Sequence, residues 1–363
     1  MTRTQALNAA GQSLWLDNIT RTMLDDATLT GYVDELTVTG LTSNPTIFDK
    51  AIEASGAYDS QIAEVGRDPA RTDEEVFFDL AIDDLRRAAD EFAEVHERTD
   101  HLDGYVSLEV SPELAFDTDA TIAQARELSA RMERPNVFIK IPGTPQGLTA
   151  IATAIHEGIP VNVTLLFSSE HHLAAADAWM TGIERRIADG LPPDVPSVAS
   201  LFMSRWDVKA NADVPPELRH RLALAIGGRA YRAYLDLLAS PRMQKLMNAG
   251  ARPQRLLWAS TGTKDPEASD TLYIDGLAAP YTVNTMPEAT LLAFADHGAA
   301  PPQLMAAGGG DAEELLGRFA AAGVDVATYA AELQQAGADS FVASWHSLLA
   351  SIAGKRATVA AGG

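Results

Sequence analysis

The chain has 363 residues, 46% hydrophobic and 21% charged, a composition that fits an ordinary folded protein and excludes extended disorder or a coiled coil. Lysine and arginine total 28 against 50 acidic residues, and the resulting charge of −22 repels nucleic acid and anionic lipid at long range. Cysteine is absent, which excludes disulfides, thiolate nucleophiles and cysteine-ligated metals.

The N-terminal stretch MTRTQALNAAGQSLWLD carries no sustained apolar segment, and nowhere does an apolar run reach the roughly 18 residues of a membrane span. A cytoplasmic location without membrane association is therefore expected. Along the chain, short apolar, β-branched or aromatic runs recur between turn residues. The first is LWLDNI from Leu14, and the second is GLTSNPT from Gly40. DEEVFFDLAIDDLRRAADEFAEVHER follows, with apolar residues every three or four positions, the spacing of a helix. YVSLEV from Tyr105 precedes the helical DATIAQARELSARM, and VFIKIP from Val137 and PVNVTLL from Pro160 come next. SVASLFM from Ser197, RLLWAST from Arg255 and YTVNTMP from Tyr281 complete the series. Apolar strands that alternate with helices predict a parallel sheet covered by helices, and eight such units predict a closed (β/α)8 TIM barrel. An open dinucleotide-binding sheet fits less well, because LDNITR rather than a Gly-rich turn follows the first strand.

After Pro287, TLLAFADHG, AEELLGRFAAAG and FVASWHSLLASI read as further amphipathic helices, GAAPPQ and AAGGGDA as surface loops, and KRATVAAGG as a frayed tail. No linker divides the chain into two cores. Residues 1–363 are expected to form a single barrel domain with a C-terminal helical extension.

Polar residues near strand ends converge on one mouth when a barrel closes. Asp17 closes LWLD, Asn44 follows GLTS, Glu109 interrupts YVSLEV, Lys140 interrupts VFIKIP, and Asn162 and Thr164 lie in PVNVTLL. Ser200 lies in SVASLFM with Arg205 beyond it, and Ser260 and Thr261 end RLLWAST. Singly, each reads as a cap or turn residue; as a set they form a candidate site. Lys140 stands out, because Phe138, Ile139 and Ile141 leave it little water. Its ammonium is paired, reaches out to water, or is placed to lose its proton, and the direction of its pKa stays open because desolvation and nearby carboxylates act oppositely. As a neutral amine it would attack a ketone or aldehyde and form a Schiff base. The proton transfers of that chemistry make Asp17 and Glu109 candidates, with Thr164 holding a water. His171 and His172 stand at a helix start without a third ligand in view, so no metal site is expected. Trp15, Trp206 and Trp258 read as packing around the barrel rim.

LWLDNITR with Asp17, GLTSNPTIFDKAI with Asn44, SLEVSPELAFD with Glu109, FIKIPGTPQGLTAI with Lys140, and GIPVNVTLLFS with Asn162 and Thr164 together resemble the transaldolase family. The resemblance runs from about Ser13 to the helix near Ile352. It implies a mechanism without metal or organic cofactor, in which a ketose phosphate forms a Schiff base with Lys140. Retro-aldol cleavage then leaves a bound dihydroxyacetone unit for an aldose phosphate to accept. In that family the reaction interconverts sedoheptulose 7-phosphate plus glyceraldehyde 3-phosphate with erythrose 4-phosphate plus fructose 6-phosphate, in the non-oxidative pentose phosphate pathway. By position, the resemblance makes Asp17 the acid/base of carbon–carbon cleavage and gives the water to Glu109 and Thr164. Asn44, Asn162 and Ser200 would hydrogen-bond the three-carbon unit.

Arg205, in SLFMSRWD, stands where the family places one phosphate-binding arginine. The seventh strand departs from the pattern: many members end it Ser-Phe-Arg, whereas this chain reads STGTKDP. Ser260 keeps its place, and Lys264 is the candidate second basic group, with the amides of Gly262 and Thr263 as further donors; a lysine contacts phosphate as a point charge rather than a fork. This strand end is similar to that of the longer, actinobacterial-type subgroup. The implied partners are small-molecule sugar phosphates, and the family includes monomers and homodimers. Two rivals are a Schiff-base barrel aldolase that releases its fragment and a non-catalytic sugar-phosphate binder. The joint presence of Asp17, Glu109 and Lys140 counts against the second.

Overall fold

The computed structural model describes residues 1–362. Eight parallel strands close into a barrel in chain order. They are β1 (Gln12–Leu16), β2 (Val38–Thr42), β3 (Tyr105–Glu109), β4 (Val137–Pro142), β5 (Val161–Leu166), β6 (Ser197–Phe202), β7 (Arg255–Ala259) and β8 (Thr282–Met286). Each apolar run read from the sequence is a strand, and β1 and β2 start slightly earlier than their runs, at Gln12 and Val38. The seam closes between β1 and β8, from Gln12 opposite Thr282 to Leu16 opposite Met286. Nearly every strand residue is buried, as a parallel barrel with helices outside and side chains inside requires.

The helices carry local start signals. Asp73–Glu91 opens with a capping box in which Thr72 Oγ1 accepts from Glu75 N and Glu75 Oε2 accepts from Thr72 N, and Asp73, Glu74 and Glu75 oppose the helix dipole. The single helix expected from DEEV to HER is interrupted at Phe92 and resumes as Ala93–Arg98. Two of the helices that leave the barrel mouth, Pro45–Ala54 and Pro145–Glu157, begin with proline, capped by Asn44 and Thr144.

The barrel interior is layered. At the floor, the ring of Tyr105 stacks on Phe138 at 4.2 Å, and Trp15 lies 6.0 Å from Phe138. Below them Asp103 accepts hydrogen bonds from Trp15 Nε1 (2.8 Å) and Ser13 Oγ and pairs with Arg255 at 3.3 Å. Gly40 is required here, because a Cβ would stand 2.8 Å from both the Trp15 indole and the Tyr105 carbonyl oxygen. Trp15 thus packs at the floor and not at the rim, because Gly40 opens a slot that lets its indole reach Asp103. Trp206 and Trp258 are buried as packing residues, and Trp206 Nε1 donates to Phe167 O at 2.9 Å.

The C-terminal extension holds the helices Glu288–His297 and Ala312–Ala321 and a much longer one, Val326–Gly362, which crosses the barrel mouth. Gln334 Nε2 donates to Leu165 O (2.9 Å) and Gly143 O (3.2 Å) at the ends of β5 and β4, and Thr46 Oγ1 donates to Ser344 Oγ (2.8 Å). The tail expected to fray is helical as far as Gly362. Arg356 Nη1 donates to Asp73 Oδ1 (2.6 Å) and Arg71 O (3.0 Å), and Lys355 pairs with Asp59, so two cations bind that end of the helix to the acidic 59–73 segment. Gly363 lies outside the described residues. Among the described residues no helix is long and apolar enough to cross a membrane.

Candidate active site

Parallel register sets the key residues side by side, with Glu109 opposite Lys140 and Lys140 opposite Asn162. Asn162 Oδ1 accepts from Ser200 Oγ at 2.7 Å, and its Nδ2 donates to Ser107 Oγ at 3.1 Å. A belt of polar groups therefore runs from β3 through β6 on the inner face of the barrel.

Lys140 is 5% exposed. Its Nζ donates to Glu109 Oε2 at 2.9 Å and to the Ser43 carbonyl oxygen at 3.1 Å, which uses two of the three donor directions of an ammonium. Of the readings open from sequence, the paired one describes this state. Glu109 Oε1 and Thr164 Oγ1 are buried without a hydrogen-bond partner among the described residues. Asp17 Oδ1 accepts from Thr42 Oγ1 at 2.8 Å, and Thr42 Oγ1 lies 2.7 Å from Thr285 Oγ1. Burial raises the carboxyl pKa of both Asp17 and Glu109, and the Lys140 charge opposes the rise in each.

Above the belt opens a cavity of about 340 Å³ whose wall includes Asp17, Asn44, Lys140, Ser200, Arg205, Ser260 and Lys264. Glu109, Asn162 and Thr164 are not part of that wall; Glu109 meets it through Lys140 and Asn162 through Ser200. Asn44 is also the cap of its helix, accepting from Ile47 N at 3.1 Å through Oδ1, so the ordinary and the functional reading both describe it. Ser260 holds a left-handed backbone (φ 54°), and its hydroxyl lies 3.0 Å from Ser204 Oγ. Thr261 turns away, donating to Thr285 O and Asn284 Oδ1. Gly262 lines the cavity; Thr263 does not, and its hydroxyl donates to Ser269 O.

Arg205 and Lys264 stand on this wall, and Lys50 joins them. None of the three makes an ion pair among the described residues. Burial pushes the Arg205 guanidinium below its ordinary value, and its Cζ lies 5.5 Å from the Phe202 ring centroid. Lys264 shares the cavity wall with Asp17, and its charge opposes the burial-driven rise of the Asp17 carboxyl pKa. Sequence reasoning missed Lys50, Phe202 and Phe341 as wall residues. Lys50 lies inside the GLTSNPTIFDKAI stretch, about two helical turns beyond Asn44, and that spacing was the available signal. Phe341 gave none, since it comes from the far end of the chain.

His172 is fully buried in the helix Ser169–Ala188, edge-on to Tyr234 at 5.7 Å, and burial pushes its imidazole down to about 4. Among the described residues no cluster of three or more His, Asp or Glu side chains is arranged to hold a metal ion.

A closed parallel barrel that gathers its polar groups at the C-terminal mouth has the architecture of a barrel enzyme. The family described as transaldolase/fructose-6-phosphate aldolase matches residues 14–352. The chain is 42% identical over 354 residues to a transaldolase of Saccharopolyspora erythraea, covering 96% of each chain. It is 43% identical over 360 residues to a transaldolase of Thiobacillus denitrificans, covering 97% of this chain and 100% of the relative. To a transaldolase of Thermobifida fusca it is 44% identical over 357 residues, covering 96% and 97%. The chain belongs to the transaldolase/fructose-6-phosphate aldolase family, as an enzyme of the transferase class of transaldolase type.

Proposed function

We propose that this enzyme moves a dihydroxyacetone unit from sedoheptulose 7-phosphate to glyceraldehyde 3-phosphate, giving erythrose 4-phosphate and fructose 6-phosphate in the non-oxidative pentose phosphate pathway, through a Schiff base on Lys140. The supporting observation is Lys140 itself, buried on the cavity wall with Glu109 at 2.9 Å and Asp17 on the same wall. Glu109 takes a proton from the ammonium, and the free amine adds to the ketose carbonyl. Water leaves the carbinolamine as Glu109 and Thr164, each with an unpartnered buried oxygen, hold it and pass its protons. Asp17 then removes the proton of the substrate hydroxyl, the adjacent carbon–carbon bond breaks, the aldose phosphate departs, and an enamine remains on Lys140. The acceptor aldehyde reverses these steps.

Asn44, Asn162 and Ser200 hold the hydroxyls of the three-carbon unit in this reading. Arg205, Lys264 and Ser260 take the phosphate, a local positive pole that offsets the −22 charge of the chain. The Schiff base serves as the electron sink, so neither metal nor organic cofactor takes part. The enzyme works in the cytoplasm as a monomer or homodimer on small-molecule sugar phosphates, without nucleic acid or membrane. Residues 1–363 act as one domain, since the C-terminal helix completes the barrel mouth. Borohydride trapping with fructose 6-phosphate, followed by peptide mass analysis of wild type and Lys140→Met, tests the mechanism. A three-carbon adduct on the Lys140 peptide, lost in the variant, is expected; no adduct, or one on another lysine, overturns it.

A further inference from the structure

The helix Val326–Gly362 does more than cover the barrel. Its Phe341 is 6% exposed and presents its ring to the Lys140 ammonium, with Nζ 5.6 Å from the ring centroid. The same ring stands 6.3 Å from that of Phe202, which in turn lies against Arg205, so an aromatic pair runs along the cavity wall that Lys140 and Arg205 share. Gln334, about two turns earlier on the same helix face, fastens the helix to the carbonyls of Gly143 and Leu165 at the ends of β4 and β5. The helix is therefore pinned to the strand that carries Lys140 and to its neighbour.

We propose that Phe341 is a positioning residue for Lys140, a fixed apolar ring that keeps water from the lysine-bound three-carbon unit so that the unit passes to an acceptor instead of being released. The inference rests on the Schiff-base reading above. Release requires the enamine carbon to take a proton and water to add across the resulting C=N bond. The C–N bond then breaks to give free dihydroxyacetone and the Lys140 amine. The first of those steps needs a proton donor on the cavity side of Lys140, where the Phe341 ring stands.

The test measures free dihydroxyacetone formed per acceptor-transfer turnover in wild type, Phe341→Ala, Phe341→Leu and Ile352→Ala, each also trapped with borohydride. Ile352 is buried on the same helix but is not on the cavity wall, so its truncation loosens the helix without opening the site. Phe341→Ala is expected to raise the release-to-transfer ratio about tenfold, Phe341→Leu less because it keeps an apolar cover, and Ile352→Ala not at all. If Phe341→Ala fails to fold, Phe341→Leu carries the comparison. Unchanged ratios in both Phe341 variants, or an equal rise in Ile352→Ala, overturn the role of Phe341 while the wild-type adduct still stands. Absence of that adduct in wild type overturns the Schiff-base reading instead.

Discussion

Asp17 shows how a single buried carboxyl bears on stability. Burial raises its carboxyl pKa above the ordinary value of 3.8, against the pull of Lys140, Thr42 and Lys264. A group whose pKa is higher folded than unfolded contributes stability that is present below the unfolded value and is lost as pH rises through the folded one. The ionised form of Asp17 therefore opposes folding, and its cost appears as pH rises above the ordinary carboxyl value. Asp17→Asn retains an oxygen for Thr42, so it is expected to raise the Tm at about pH 8 and to give no gain at about pH 3, where the wild-type group is protonated as well. The same substitution should lower kcat by about 10²–10⁴-fold. Thermal scans at the two pH values beside steady-state rates check both parts, and an equal Tm gain at both pH values would remove the charge as the cause. Lys140 was legible at this scale because one charge in an apolar run is a local anomaly. Glu109 was legible as a candidate as well, but its pairing with Lys140 was not, since only strand register sets those two residues opposite each other.

Among the elements, the C-terminal helix departs furthest from the sequence reading. Its apolar residues follow no single stripe, because it packs against the barrel mouth, the Pro45–Ala54 helix and the Asp73–Glu91 helix in turn, and the periodicity that marks a surface helix is blurred. Its last turns looked like a frayed tail because small and basic residues carry no apolar signal. Their anchor is polar: the Arg356 side chain is 17% exposed and reaches Asp73 at 2.6 Å. Arg356→Ala is expected to cost about 1–3 kcal/mol, the worth of hydrogen bonds to a charged group, and to lower the Tm by a few degrees. Thermal denaturation decides the matter; an unchanged Tm would mean that the end of the helix adds nothing to stability.

Across the whole molecule, the two ends of the barrel have opposite tasks. At the floor, Asp103 joins Ser13 and Trp15 of β1 to Arg255 of β7 in a buried network that ties strands on both sides of β8. Removing one partner of a buried charge pair strands the other, so Asp103→Ala is expected to cost about 3–5 kcal/mol. It should leave the yield of borohydride-trapped adduct per folded molecule unchanged, because the mouth does not depend on the floor for its groups. Denaturant unfolding beside the trapping assay checks this separation, and a fall in adduct yield would show that floor and mouth are coupled. At the mouth, three cations without ion pairs among the described residues face one cavity in a chain of net charge −22. Carboxylates pair most basic side chains elsewhere, which makes these three stand out only once the chain is folded.

The barrel and a mouth lined with polar residues were legible in the sequence alone. Eight apolar runs alternating with helical periodicity, and polar residues breaking those runs near their ends, are short-range patterns that any one segment displays. Tertiary structure alone decided which groups meet. The Lys140–Glu109 pair follows from register, the descent of Trp15 to the floor from the space left at Gly40, and the place of Phe341 over Lys140 from a helix that returns across the mouth. Those contacts join positions far apart in the chain, and no local pattern encodes a distance that exists only after the sheet has closed.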